Sequence, residues 1–364
     1  MSTTTRQVIE QELKALWRSE HPGADTSNST QRNYTLNLVV YAPNLTACGE
    51  ADGALKELTP IHHGRYIMLC QAPAEESARL HHHVTSHCIF DPGRNKRICC
   101  DLITLEAKDG LLEDLYGLTL SLLISDLPVE FWWLGDLPLN NPFFHKIADD
   151  SDRVWVDSVK FERPAEAMAI LAATWDQAFP NTILADLNWV RIQRWRHLIA
   201  DLFDGEWTPY LWQIRELTIE YGEGRQPTRS FLLVCWMAGQ LGWRYEGERL
   251  TEFPEHLEFA AAHGPVTVRI QPVAVTDQER DRLYAVRIRT AGEHQGLFSV
   301  VREQDPQCVL AFSEIDGQPA FSRVLCFEHL EAVQLLSEGL RGWGRDPGWE
   351  GALGVMRTVM RGAE

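Results

Sequence analysis

The sequence predicts an α/β and α+β protein of two domains. The first is a three-layer α/β domain with a mostly parallel sheet, and the second packs helices on a mainly antiparallel sheet. At 364 residues the chain is long for a single core, which favours two domains. Nearly continuous apolar strands separated by helices fill the first part, whereas alternating strands dominate the last part. We place the boundary after residue 162, so the domains span 1–162 and 163–364.

The first domain is predicted to alternate strands and helices. Strands of nearly unbroken apolar residues are typical of a parallel sheet that is covered on both faces. Pro128 forces an extended backbone directly after a leucine-rich helix, and Pro92-Gly93 supplies the turn of a paired ribbon. The predicted elements are helix Thr5–Glu20, a loop to Arg32, strands Thr35–Tyr41 and Arg65–Cys70, the ribbon Val84–Phe90 and Lys96–Glu106, helix Leu111–Asp126, strand Val129–Trp133, helix Phe143–Asp149 and strand Val154–Val159.

The second domain begins with helices and continues with alternating strands. Pro164 is well placed in the first turn of a helix that Pro180 ends, and Gly242 can cap a later helix in the left-handed conformation. The later strands alternate apolar and polar residues, which predicts an antiparallel meander with one solvated face. The predicted strands are Glu216–Tyr221, Val266–Ile270, Tyr284–Ile288, Phe298–Arg302, Cys308–Phe312 and Ala320–Cys326. The predicted helices are Pro164–Phe179, Ile192–Leu202, Ser230–Gln240 and Glu328–Leu340, before a Gly-rich tail over residues 342–364.

Composition and charge exclude several classes of function. The net charge of −17 opposes nonspecific binding to nucleic acid or to an anionic membrane, which needs clustered Lys and Arg. No apolar stretch approaches the roughly 18 residues of a membrane span, and no signal peptide precedes the first helix. We therefore expect a cytoplasmic protein without membrane or nucleic-acid partners. In that compartment the eight cysteines are expected to be thiols.

Three ordered sequence blocks carry a family resemblance. They are Asp126–Pro138 with its Trp132-Trp133 pair, Asp152–Ser158, and Asp186–Arg196 with two tryptophans and three arginines. Together they resemble the glucose-6-phosphate dehydrogenase assembly protein family, often called OpcA, over about Arg65 to Trp243. The resemblance implies a non-enzymatic factor without a cofactor. Such a factor binds the dehydrogenase, favours its active form as an allosteric activator, and supports the oxidative pentose phosphate pathway.

The resemblance and the chemistry of the blocks point to a set of partner-binding residues. Arginine and tryptophan are favoured anchors of protein interfaces. The predicted contact residues are Trp132, Trp133, Asp136, Asp186, Asn188, Trp189, Arg191 and Arg194. For the arginines the alternative is a solvated helix face, with Arg191 and Arg194 on one side and Arg196 turned away. For the Trp132-Trp133 pair the alternative to an outward ring is burial under a helix.

An enzyme or sensor that binds a sugar phosphate is the alternative function. Its site would lie at the carboxyl end of the first domain's sheet, where open α/β sheets bind ligands. The sequence offers little for it, since it lacks the Gly-x-Gly-x-x-Gly, P-loop and Gly-x-Ser-x-Gly patterns. Gly222-Glu223-Gly224 lacks a third glycine, and its acidic residue would repel a pyrophosphate.

The histidine-rich and cysteine-rich stretches have simpler interpretations than a metal site. His81, His83 and His87 would share one face of a strand and Cys88 would face the other way, without the ligand spacing of a zinc site. We therefore predict structural or surface roles and no bound metal. Cys99 and Cys100 are adjacent, so they cannot easily bridge each other and are expected in the core.

Cys308 and Cys326 flank a turn at Asp316-Gly317. A three-residue loop would place the two side chains directly across the hairpin, whereas a two-residue loop would place them on opposite faces. Relatives in photosynthetic bacteria respond to thioredoxin, so the resemblance makes this pair the redox candidate and thioredoxin a second partner. The alternative is a pair of buried, unbridged cysteines.

Overall fold

The computed structural model describes residues 2–20, 34–73, 80–91, 96–107, 112–137, 141–224, 226–276, 280, 282–342 and 344–361. The chain forms two compact units, each assembled from three segments. Unit 1 comprises Met1–Asp157, Asp176–Leu187 and Ala332–Trp343, and unit 2 comprises Ser158–Trp175, Asn188–Glu331 and Gly344–Glu364. The boundary after residue 162 stays a prediction.

The elements alternate through the first half and become mainly strands in the second. In chain order the first are α1 (Ser2–Glu20), β1 (Leu36–Ala42), α2 (Leu45–Leu58), β2 (Gly64–Gln71), β3 (His81–Asp91), β4 (Lys96–Ala107), α3 (Leu112–Leu122), β5 (Val129–Trp133), α4 (Pro142–Asp149), β6 (Arg153–Val156), α5 (Pro164–Ala178), β7 (Ile183–Asp186), α6 (Leu187–Arg191) and α7 (Gln193–Asp201). The others are a 3-10 helix (Gly205–Gln213), β8 (Ile214–Gly222), α8 (Thr228–Leu241), β9 (Arg244–Tyr245), β10 (His256–Ala261), β11 (Gly264–Val273), β12 (Leu283–Thr290), β13 (Gly296–Arg302), β14 (Cys308–Ile315), β15 (Gln318–Cys326), α9 (Ala332–Leu340) and α10 (Pro347–Val359).

Unit 1 contains a seven-stranded sheet in the order β3-β4-β2-β1-β5-β6-β7. Every pairing is parallel except that of β3 with β4. Helices cover both faces: Trp133 of β5 packs against Phe144 of α4, while Trp155, on the opposite face, lies against Gly339 of α9. Side chains on both faces of β1 and β2 are therefore buried. The predicted three-layer α/β domain is confirmed.

Unit 2 contains an eight-stranded sheet in the order β15-β14-β13-β12-β8-β11-β10-β9. Only β8 and β11 pair in parallel, so the predicted mainly antiparallel sheet is confirmed. The meander comprises β12 to β15, whereas β11 lies beyond β8 and was wrongly included in it. One face is solvated, where Glu220 pairs with Arg287 and Glu216 lies 4.0 Å from Arg289.

Several elements differ from the sequence-based prediction. α2, β7, β9 and β10 were not predicted, and the predicted strand to Val159 ends at Val156. The Gly-rich tail is wrong, because α10 is a helix that buries Trp349, Leu353 and Met356. Gly351 of α10 packs closely on α8, where a Cβ on Gly239 would lie 3.0 Å from the Gly351 backbone. The loop through residues 21–32 and the Pro92-Gly93 turn lie outside the described residues.

Candidate functional site

The Trp132-Trp133 pair is buried in unit 1. The Trp133 ring stacks on Tyr41 with centroids 3.8 Å apart, and its indole Nε1 donates to the Asp136 carbonyl over 2.8 Å. Trp132 points to the other face of β5 and is also buried, with 3 % of its surface exposed. The alternative of burial is therefore the one that the structure adopts. Asp136, close to this pair in the same block, is exposed.

A buried charged network joins the first two blocks. Glu130 accepts a hydrogen bond from Trp155 Nε1 at 2.7 Å, and Arg153 Nε lies 3.6 Å from the same carboxylate oxygen. Arg153 also donates to the carbonyl of Gly339, in the last turn of α9, and to that of Gly342, just after the helix. Burial raises the pKa of Glu130, and the Arg153 charge opposes that rise. The network fixes α9 against the sheet of unit 1.

Sequence reasoning missed this network, although a signal was present. Glu130 lies between Val129 and Phe131 in a strand that is otherwise apolar, and Arg153 opens the next apolar strand. Charged residues are seldom fully buried unless they are paired. Two such residues at neighbouring strand positions, paired directly in the sheet register, should have predicted a buried ion pair.

The third block starts at the carboxyl end of the unit 1 sheet. Asp186 is the last residue of β7 and lies beside Val156 of β6, and its side chain is buried. Asp157 follows β6 at the same edge and is buried as well. Acidic side chains thus end two neighbouring strands, at the edge where the alternative function requires a phosphate site.

Within unit 2, Asn188 organises two arginines. Its amide nitrogen donates to the Ser158 hydroxyl at 3.2 Å, and its amide oxygen accepts from Arg229 Nε at 3.1 Å and from Arg191 at 3.5 Å. Asn188 and Ser158 have no exposed surface, while both arginines are half-buried. Arg229 had no distinguishing signal in the sequence, since it lies on α8, far along the chain.

Trp189 belongs to an aromatic and charged cluster in unit 2. The Arg196 guanidinium lies 3.5 Å from the Trp189 ring centroid, and the Trp349 ring lies 5.3 Å away. Trp189 Nε1 donates to Asp346 at 2.7 Å, and the other oxygen of that carboxylate caps α10. Burial lowers the pKa of Arg196 to about 10, against the raising effect of Asp346. Trp189 thus holds α10 in place.

Arg191 and Arg194 do not share one helix face. α6 ends at Arg191 and α7 begins at Gln193, so the predicted continuous helix is interrupted at Ile192. Arg194 instead stacks over the Phe327 ring at 5.2 Å and donates to the Glu328 carbonyl at 3.3 Å. Trp195 is buried beside Arg302, as expected for a core residue.

The cysteines form three disulfides, so the expectation of thiols is wrong for these six residues. The bridges are Cys48–Cys70, Cys88–Cys99 and Cys308–Cys326, while Cys100 and Cys235 are buried thiols. The Asp316-Gly317 loop has two residues, which alone would put Cys308 and Cys326 on opposite faces. A one-residue register shift between Ser313 and Glu314 reverses that outcome, and the Cα atoms lie 4.0 Å apart.

Two histidines of strand β3 contact neighbouring helices, whereas His81 and His83 are exposed. His82 lies 3.2 Å from Glu12 of α1, and His87 contacts Thr59 at the end of α2. Across the described ranges, no group of three or more His, Cys, Asp or Glu side chains is arranged to hold a metal ion. The same part of the chain contains no helix long and apolar enough to cross a membrane.

Comparison with known proteins assigns both halves of the chain to one class. Residues 56–173 match the family model for the glucose-6-phosphate dehydrogenase subunit N-terminal domain, and residues 182–353 match that for its C-terminal domain. These two matches cover most of the chain and define its class as that of the glucose-6-phosphate dehydrogenase subunit family. The chain belongs to the glucose-6-phosphate dehydrogenase assembly protein family, OpcA.

Relatives from cyanobacteria bear the name OxPP cycle protein OpcA. The protein from Nostoc punctiforme is 28 % identical over 288 residues, which cover 76 % of this chain and 61 % of the relative. The protein from Synechocystis is 25 % identical over 330 residues, covering 88 % and 68 %. The chain therefore spans about three fifths of the Nostoc relative. A probable dehydrogenase from Thermotoga maritima has a TM-score of 0.41, 12 % identity, and coverage of 89 % and 97 %, a likeness too weak to indicate a function.

Proposed function

We propose that this protein binds glucose-6-phosphate dehydrogenase, favours its active form and has no turnover of its own. The observation that carries the proposal is the match of both halves of the chain to models of a glucose-6-phosphate dehydrogenase subunit. An activator of this kind must bind the active state of the enzyme more tightly than the inactive state. Equal affinity for the two states would shift nothing.

The use of the motif residues supports a role without catalysis. Glu130 is engaged by Trp155 and Arg153, Asn188 by Ser158 and Arg229, and Trp189 by Asp346. These contacts satisfy buried polar groups and hold α9 and α10 in place. The motif residues therefore have structural roles. Catalytic groups, in contrast, are expected to converge on a site that a substrate can reach.

We further propose that the third block contributes the contact surface through Arg191 and Arg194. Both arginines are half-buried, so part of each side chain reaches the surface. Asp136 of the first block is exposed. The buried members of the predicted set would act by positioning these residues, since a partner cannot touch a ring that is almost fully covered. These members are Trp132, Trp133, Asp186, Asn188 and Trp189.

The sugar-phosphate alternative gains no support from the geometry. Asp157 and Asp186 end neighbouring strands at the edge of the unit 1 sheet that such a site would use. Carboxylates bring negative charge to a place where a phosphate requires hydrogen-bond donors and positive charge. These carboxylates therefore disfavour a sugar-phosphate site at this edge of the sheet.

We also propose that the Cys308–Cys326 bridge is redox-responsive and that thioredoxin reduces it. Cys326 is exposed at the end of the edge strand β15, where a reducing thiol can reach it. Reduction would loosen the β14–β15 hairpin of unit 2. This becomes regulation only if the oxidised and reduced forms bind the dehydrogenase with different affinities.

The decisive experiment mixes purified chain with purified glucose-6-phosphate dehydrogenase, with and without dithiothreitol. We expect the two proteins to co-elute in size-exclusion chromatography and the specific activity of the dehydrogenase to rise. Cys308→Ser protein, treated in parallel, should give the same activation with and without reductant. Separate elution with unchanged dehydrogenase activity in both redox states would refute the proposal, as would steady turnover by the chain alone.

A further inference from the structure

The edge strand β15 is the most exposed strand of unit 2. Every residue from Gln318 to Val324 is exposed on both faces of the sheet, and Phe321 and Val324 keep 40 % and 57 % of their surfaces in solvent. β15 pairs with β14 on one side and is the last strand of the sheet on the other. An edge strand that exposes apolar side chains offers unpaired backbone groups to another strand.

The solvated face of the sheet changes from charged at its centre to apolar at this edge. At its centre the face carries Glu216, Glu220 and Arg287, which form ion pairs across the strands. At the edge the register instead places Val301, Leu310 and Val324 side by side on β13, β14 and β15. Phe312 lies on the same face next to this row, and the Cys308–Cys326 bridge closes its far side.

Part of the edge is protected against pairing and part is open. Pro319 has no backbone N–H, and the register shift beside Glu314 distorts the hairpin near its turn. Both are devices that protect an edge strand. Beyond them, the register of β15 with β14 is regular from Phe321 to Cys326. The regular part of the edge therefore coincides with the apolar row.

Acidic residues mark both ends of this open stretch. Glu314 and Asp316 lie at the turn of the hairpin, and Glu303 and Asp305 lie in the connection at its other end. The backbone N–H of Gln295 and the side chain of His294 lower the pKa of Asp316, whose carboxylate lies 2.7 Å from His294 Nδ1, so Glu314 is the residue of this end that brings an unshared charge to the apolar face. On the face that carries the Val324 row, an occupant of the edge thus meets apolar side chains in the middle and acidic side chains at each end, while the exposed Arg323 lies on the other face of β15.

We propose that β15 accepts an extended strand of a partner protein whose middle is apolar and whose two ends carry Lys or Arg. Backbone hydrogen bonds along Phe321–Cys326 would hold the strand, and contacts with the Val324 row would select its side chains. A second copy of this chain fits poorly, since each copy would bring its acidic residues against those of the other and carries a net charge of −17. The assignment of the strand to glucose-6-phosphate dehydrogenase rests on the function proposed above.

The edge can be tested without the dehydrogenase. The probe is a fluorescent peptide of about nine residues, near the upper end of common strand lengths, with lysine at each end and alternating valine and threonine between. We expect anisotropy to show binding to the wild-type chain, and Val324→Glu to weaken it roughly tenfold or more because a charge would lie in the apolar contact. Ile61→Glu is the matched control, since Ile61 of unit 1 is 51 % exposed, and it should bind as wild type. A peptide with glutamate at each end should bind more weakly.

The same variants are then tested for binding to the dehydrogenase itself. Hydrogen exchange of the wild-type complex should show slower exchange of β15 amides than in the free chain, and Val324→Glu should weaken co-elution. If the dehydrogenase binds while β15 exchange and the Val324→Glu affinity stay unchanged, the docking edge is wrong and the proposed function stands. If the lysine-ended peptide binds but the dehydrogenase does not, the edge stands and its assignment to that enzyme fails. If light scattering shows that the wild-type chain is a dimer and that Val324→Glu is a monomer, the occupant of the edge is a second copy of this chain and not a partner strand.

Discussion

The motif blocks and the β14–β15 hairpin reverse the roles that their sequences suggest. The tryptophans of the blocks look like interface anchors, yet Trp132, Trp133 and Trp189 are buried. The hairpin reads as an ordinary alternating ribbon, yet β15 leaves Phe321 and Val324 in solvent. Residue type alone therefore does not decide exposure. A strand with neighbours on both sides and helices on both faces is covered, whereas an edge strand beyond the reach of its helix layer is not.

The largest expected effect separates two tryptophans of unit 2. Trp195→Ala should lower the free energy of unfolding by about 3–5 kcal/mol, because the ring is 96 % covered and its loss leaves a cavity. Trp212→Ala should change it by less than about 0.5 kcal/mol, since that ring is 51 % exposed. Urea unfolding followed by circular dichroism measures both. If the two substitutions lower the free energy of unfolding equally, the buried tryptophan of the block contributes no more to stability than the exposed one.

The next effect concerns the disulfide of the hairpin. Cys308→Ser opens a bridge with a sequence separation of 18, which should cost about 3 kcal/mol through the freedom regained by the unfolded chain. The difference between variant and wild type should vanish in excess dithiothreitol, where neither protein has the bridge. Parallel urea titrations with and without reductant supply the comparison. A difference that persists under reduction would mean that the serine perturbs packing and that the bridge contributes little.

A third pair of substitutions contrasts two helix glycines. Gly339→Ala in α9 should destabilise the protein by about 1–3 kcal/mol, because the added methyl group would overlap the Trp155 ring. Gly354→Ala in α10 meets no atom within 4 Å and should stabilise it by up to about 1 kcal/mol through helix propensity. Thermal melts of the two proteins should move in opposite directions. If Gly339→Ala does not lower the melting temperature, the buried network of Glu130, Arg153 and Trp155 does not require the close approach of α9.

The strength and period of apolar patterns allowed much of the fold to be predicted. β1, β2 and β5 were predictable from nearly continuous apolar runs, and α5 from Pro164 and Pro180 at its ends. α10 was not, because its glycines suggest a flexible tail, whereas Gly351 lies at the close approach of α10 to Gly239 of α8. The chain returns to unit 1 at α9, and the local pattern of apolar residues does not indicate this return. Only contacts between residues that are distant in sequence specify it.

The candidate site was harder to predict than the fold. The blocks were recognisable, but which of their members reach the surface depends on partners elsewhere in the chain. Trp189 is covered by Trp349 and Arg196, and Asn188 is held by Ser158 and Arg229. The pairing of Cys308 with Cys326 likewise depends on a one-residue register shift that no turn signal announces. Long-range contacts and bulges are the information that a local pattern lacks.

A smaller effect is expected for the accessible arginines. Arg191→Ala with Arg194→Ala should weaken co-elution with the dehydrogenase while costing only about 1 kcal/mol of stability, through the lost hydrogen bonds to Asn188 and to the Glu328 carbonyl. The melting temperature should therefore fall only slightly. Arg163→Ala is a suitable control, since Arg163 is exposed, precedes α5 and pairs with Glu166 in the first turn of that helix. Normal binding by the double variant would leave β15 as the stronger candidate surface.

The smallest expected effect is a pH dependence of the stability, which concerns Glu130 in the buried part of the motif blocks. The pKa of Glu130 is raised above its ordinary value by burial, so the folded state holds this proton more tightly than the unfolded state. The unfolding free energy should therefore fall as the pH rises from the unfolded pKa, near 4.5, through the raised folded pKa. Glu130→Gln removes the titrating group while keeping an oxygen that can accept from Trp155, so its stability should lack this decrease. Urea titrations at a series of pH values measure the unfolding free energy of both proteins. The difference between the two values at each pH reports on Glu130, because the titrations of other groups cancel. If the two proteins change in parallel above pH 4.5, Arg153 already holds Glu130 ionised, and the pair acts as a fixed ion pair between the sheet and α9.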